Sequence, residues 1–116
     1  MQFNPEKYYP MTIDGKYEIT EMELWEKKDI DLTETGYFNI SGSDGNFHFI
    51  CVDGQMDIKK QKGNHYKFSW EGNDECTPVS GFGDFIFQDN TLIGRIYFHD
   101  GDDSSFLSRK MKIQKK

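Results

Sequence analysis

The sequence predicts an all-β fold, an antiparallel meander of about eight strands that closes, or nearly closes, into a barrel. Aromatic residues make up 16% of the 116 residues, with ten Phe and six Tyr, and Ala is absent. Aromatic and β-branched side chains fit a pleated, half-buried surface, whereas helices favour Ala, Leu and Met. Short apolar runs alternate with polar residues at period two. Eleven Gly and many Asp and Asn separate these runs, with no stretch long enough for a crossover helix. A flat sheet of that size would leave two edges unpaired, and closure removes them. The second architecture is a two-sheet sandwich or roll.

Taken in order, residues 1–14 carry two Pro and the Tyr8-Tyr9 pair without a period, and read as an extended arm preceding a single domain over 15–116. Residues 15–25 alternate, with Tyr17 and Ile19 on one face and Met22 and Leu24 on the other. A bulge near Thr20-Glu21 reconciles the two halves by inserting one residue. The other register would turn Glu21 and Glu23 inward at a high desolvation cost. Residues 27–35 are charged and aperiodic, a loop with room for one helical turn. Residues 36–42 form the next strand and Ser43-Asp44-Gly45 its turn. Residues 47–52 follow, apolar on both faces, which suggests a face covered by a second copy of the chain. Asp53-Gly54 reads as a tight hairpin turn into 55–60. Lys62-Gly63-Asn64 turns into 65–71, where Tyr66, Phe68 and Trp70 alternate cleanly. Residues 81–88 and 91–99 pair about Asp89-Asn90, and 104–113 closes the series.

The net charge is −6, from 20 acidic and 14 basic residues. That balance argues against nucleic acid and anionic membrane surfaces, both of which need clustered Lys and Arg. The one basic run, Arg109-Lys110-Met111-Lys112 with Lys115-Lys116, reads as a solvated strand and tail. No apolar run approaches the ~20 residues of a membrane helix, and the first residues lack a secretory pattern, so the expected location is the cytoplasm. Cys51 and Cys76 are too few for a disulfide framework; Cys51 reads as a small core residue and Cys76 as exposed, with a bridge between the two as the alternative.

Two motifs carry most of the functional signal, Trp70-Glu71-Gly72-Asn73-Asp74-Glu75 and Phe98-His99-Asp100-Gly101-Asp102-Asp103-Ser104. In an up-and-down meander, alternate connections share an end. The connections at 26–35, 53–54, 71–80 and 99–104 would then gather eleven of the twenty acids, opposed only by Lys27 and Lys28. Crowded carboxylates raise one another's pKa or recruit a cation. Asp100, Asp102 and Asp103 supply oxygens for a hard ion, although an EF-hand's spacing and distal Glu are missing. Glu71 and Glu75 with His99 form an acid–base set, since imidazole exchanges protons near neutral pH. The structural alternative is that these acids cap turns and keep the rim soluble. No nucleophile elbow, zincin helix or phosphate loop is present. His48 and His65 read as surface or hydrogen-bonded strand residues, and Trp25 and Trp70 as core.

The chain resembles a family of small uncharacterised bacterial proteins. The likeness lies in Ile19-Thr20-Glu21-Met22-Glu23-Leu24-Trp25, Phe68 through Glu75, Ser80-Gly81-Phe82-Gly83, and Gly94 through His99 with Gly101-Asp102-Asp103-Ser104 and Phe106. It implies no activity, cofactor or catalytic residue, and Phe82 stands where the family pattern leads one to expect Arg. Streptavidin-like and lipocalin-like binders share the barrel size as a fold-level analogy only.

The reading that follows is a non-enzymatic small-ligand-binding or interaction domain with an acidic loop end and no cofactor. Its candidate ligand-binding residues are Trp70, Glu71, Asp74, Glu75, His99, Asp102 and Asp103. A small apolar ligand or a protein is the expected partner. The alternative is a hydrolase or isomerase that uses Glu71, Glu75 and His99.

Overall fold

The computed structural model describes residues 12–99 and 101–112. Most of the expected arm, residues 1–11, lies outside that range, as does Asp100. Eight antiparallel strands follow one another around a closed barrel, each paired with its sequence neighbour and the last with the first. They are β1 (Gly15–Met22), β2 (Tyr37–Ser41), β3 (Asp44–Phe49), β4 (Val52–Lys60), β5 (His65–Asp74), β6 (Thr77–Gln88), β7 (Thr91–Phe98) and β8 (Asp103–Lys110). A single helical turn, α1 (Lys27–Ile30), lies between β1 and β2 and buries Ile30.

Period-two alternation fills the interior. Tyr17, Ile19, Phe38, Phe47, Phe49, Met56, Phe68, Trp70, Phe85, Ile96 and Phe106 are all buried. The rings pack edge and face on one another, Phe38 on Phe106 at 4.5 Å, Phe47 on Trp70 at 5.1 Å and Trp70 on Phe98 at 5.0 Å. Each fully buried ring of this kind stabilises the fold by about 1.5–3 kcal/mol. The β1 bulge is present, because the register with β8 shifts between Ile19 and Glu21. Tyr17, Ile19 and Met22 consequently all face inward. Leu24 does not join them: β1 ends at Met22 and Leu24 is 46% exposed. Trp25 turns back instead, 5.5 Å from Phe49 and 6.5 Å from Phe98.

Three hairpins differ from the sequence reading. The β2–β3 turn is Gly42-Ser43, with Gly42 at φ 65°, so Asp44 and Gly45 belong to β3 and not to the turn. A glycine pair explains the other two. Asp53-Gly54 is strand, not turn; the β3–β4 turn is Ile50-Cys51, with Ile50 at φ 58°. Gly54 lies opposite both Phe47 and Gly72. A Cβ on Gly54 would sit 2.4 Å from the Phe47 ring, and one on Gly72 1.7 Å from the Asp53 carbonyl oxygen. These glycines let the coiled strands approach beneath the Phe47 ring. Gly72 is therefore a paired residue within β5, and the expected 71–80 loop shrinks to a tight turn at Glu75-Cys76. Cys51 is accordingly a half-buried turn residue and not core, while Cys76 is exposed, and both thiols are free. With β3 ending at Phe49, the second apolar face expected over 47–52 does not form.

At the end opposite the long β1–β2 connection, Asp89-Asn90 forms the expected turn, both residues at positive φ. The basic run is not simply solvated there. Lys110 donates to the Thr12 carbonyl at 3.0 Å and lies over the rings of Tyr17 and Phe87. Burial lowers its pKa against the opposing charge of Asp14.

Candidate functional site

The outer face of β4, β5 and β6 bears two adjoining depressions, of about 460 and about 420 Å³, that share Gln55, Glu71 and Ser80. Strand register places these three side by side, Gln55 opposite Glu71 and Glu71 opposite Ser80. The row continues onto the end of β7, where the His99 backbone N–H donates to the Ser80 carbonyl at 2.8 Å. Asn73 and Pro78 line one flank; Asp57, Ser69 and His99 line the other. One register step further, Ser69 faces Phe82 and Phe82 faces Tyr97. The Phe82 and Tyr97 rings stack at 4.6 Å and 9°, with His99 6.1 Å from Phe82. Phe82 is 48% exposed, so an aromatic face stands open beside a polar groove.

Tertiary structure thus brings Glu71 and His99 to one groove. They stand two strands apart, about 10 Å at ordinary strand spacing, with Ser80 between them. That separation lets the carboxylate and the imidazole address opposite sides of one ligand. Glu75 is elsewhere: it occupies the β5–β6 turn at φ 57°, and its N–H donates to the Cys51 carbonyl. Burial, followed by the charges of Glu75 and Asp74, pushes the Cys51 thiol pKa up. Trp70 lies beneath the groove, with its indole in the core and its N–H donated to the Tyr97 carbonyl at 3.2 Å.

The acidic end is partly neutralised. Lys27 pairs with Glu18 at 2.9 Å and with Asp31 at 2.7 Å. Partial burial opposes the charge on Asp31, but the Gly36 N–H and the Lys27 ammonium outweigh it and hold the carboxyl below its ordinary range. Arg95, which the sequence reading missed, reaches from β7 to Asp103 at 2.7 Å and Glu23 at 2.9 Å. Its outward position in the alternation of 91–99 was the available signal; its partners come from other strands and leave no local trace. Asp102 lies in the β7–β8 connection, where its carbonyl accepts the Phe98 N–H. Among the described residues, no group of three or more His, Cys, Asp or Glu is placed to hold a metal ion. Among the described residues, no helix is long and apolar enough to cross a membrane.

Compared with protein-family models, with curated proteins and with solved structures, the chain has no match.

Proposed function

We propose that this protein is a non-enzymatic binding domain that takes its ligand on the outside of the barrel, along the Gln55–Glu71–Ser80–His99 row. The observation that carries this reading is the contrast between the two sides of the sheet. The inner side is occupied by interlocked aromatic side chains, whereas the outer side pairs a polar groove with the exposed Phe82–Tyr97 stack. Concave sites commonly combine an apolar face with a few convergent polar groups. Phe82 and Tyr97 would take the apolar face of a ligand while Glu71, Gln55 and Ser80 met its hydrogen-bond donors. Two free thiols suit a reducing compartment, and we place the protein in the cytoplasm.

NMR titration of the protein with small aromatic compounds bearing amino or hydroxyl groups tests the reading. Shifts should centre on Glu71, Ser80, Phe82 and His99 and vanish in Phe82→Ser. Loss of the stacked pair with Tyr97 should cost about 1 kcal/mol, which leaves the barrel folded. Shifts confined to the barrel ends, with the row silent, would defeat it. The enzymatic reading keeps one observation in its favour, the shared groove of Glu71 and His99. It would be a hydrolase or isomerase acting on a ligand laid across Ser80. It predicts that Glu71→Gln and His99→Gln each abolish turnover of a bound compound without displacing it.

A further inference from the structure

The Phe82 and Tyr97 rings lie parallel on adjacent strands, so Tyr97 covers one face of Phe82 and the other face turns towards β5. Ser69 stands there, a short side chain that leaves Phe82 48% exposed. Asp57 of β4 lies opposite Ser69 on its far side, and Lys59 approaches its carboxylate no nearer than 3.8 Å. Phe82 and Asp57 are thus two strand spacings apart, about 10 Å, with the Ser69 hydroxymethyl group as the floor between them. Two residues along the strands, Gln55, Glu71 and Ser80 follow one another across β4, β5 and β6. Together these residues form a shelf with an aromatic wall at one end, a carboxylate at the other and a polar row along one side. Its span admits one six-membered ring.

The chemistry of the shelf narrows what fits it. Among the described residues, no Lys or Arg lines either depression, and Asp57 and Glu71 repel phosphates and carboxylic acids. The closed barrel offers no free strand edge to an extended peptide. The Gln55 amide and the Ser69 and Ser80 hydroxyls both donate and accept, whereas the two carboxylates only accept. An ammonium ion would satisfy the carboxylates and leave the amide and hydroxyl donors without an acceptor. A saccharide answers all of these groups. Its neighbouring hydroxyls donate to the carboxylates and accept from the amide. The hydrogens on its oxygen-bearing carbons are slightly positive and suit the negative face of an aromatic ring.

We propose that this shelf binds one ring of a neutral saccharide, with the C–H face on Phe82 and the hydroxyls on Asp57, Gln55, Glu71 and Ser80. The assignment rests on the Gln55–Glu71–Ser80–His99 row being the binding site; it adds the class of ligand and extends the site to Ser69 and Asp57.

NMR titration of the whole chain with methyl glucoside, methyl galactoside and methyl mannoside, and separately with tyramine and adenosine, tests the proposal. A small ligand on an open shelf should bind with a dissociation constant of about 1 mM. At least one saccharide should shift Ser69, Glu71, Ser80 and Phe82 together, and the Phe82 ring current should move the C–H protons of one sugar face upfield. Phe82→Ser should weaken that binding about tenfold. Phe82→Trp keeps an aromatic face and should retain it. Binding unchanged in Phe82→Ser, or lost equally in both variants, would overturn the proposal. Tyramine or adenosine shifting the row while every saccharide is silent would overturn the saccharide assignment and leave the binding row standing. Silence from every compound would remove both.

Discussion

The hydroxyl of Ser108 is fully buried in β8 and has no hydrogen-bond partner. Ser104, equally buried four residues earlier, donates to the Ser105 carbonyl and accepts from the Leu24 N–H. An unsatisfied buried hydroxyl costs about 1–3 kcal/mol, whereas removing it leaves only a small void. Ser108→Ala should therefore raise stability by about 1 kcal/mol, read as a higher urea midpoint at unchanged slope; a lower midpoint would show that Ser108 has a partner. Individual side chains were unevenly legible. The inward setting of Phe68 and Trp70 follows from alternation, and alternation also puts Glu71 outside. The pairing of Arg95 with Glu23 and the burial of His48 rest on partners from other strands and loops, for which a local pattern carries no information.

At the scale of elements, the β1–β2 connection shows how charge shapes a loop. Asp31 closes α1 onto Gly36 and Lys27. Its folded carboxyl holds a proton less tightly than the unfolded one, so on acidification the unfolded chain takes up the proton first. This contribution is full above about pH 4, the ordinary carboxylate value, and is lost as pH falls through the lower folded value. Urea midpoints measured from about pH 5 to about pH 2 should fall more steeply in the wild type than in Asp31→Asn, which has no charge to lose. Parallel curves would mean that Asp31 contributes nothing. Sequence located all eight strands and misplaced three turns. Asp53-Gly54 has turn composition, but the Phe47 ring needs a glycine opposite it. The same clearance at Gly72 converts an expected loop into strand. Turn propensity is local, whereas the ring that overrides it belongs to a neighbouring strand.

For the molecule as a whole, closure joins β1 to β8 across nearly the full length of the chain. Such a pairing must meet the loop entropy of the intervening strands before it is rewarded, so refolding should take milliseconds to seconds, as in other all-β domains. Stopped-flow fluorescence of Trp25 and Trp70 would show this; a microsecond phase carrying the full amplitude would mean that local hairpins set the rate. Composition, alternation and turn spacing sufficed for the all-β class, the strand count and most of the inner faces, with Leu24 and Cys51 the exceptions, because those properties depend on neighbours along the chain. Only the tertiary structure decided where the hairpins turn, which acids meet Lys27 and Arg95, and that Glu71 and His99 share a groove while Glu75 stands apart. Each of those outcomes depends on register between strands, and register is settled by which rings and glycines fit opposite one another inside the closed barrel.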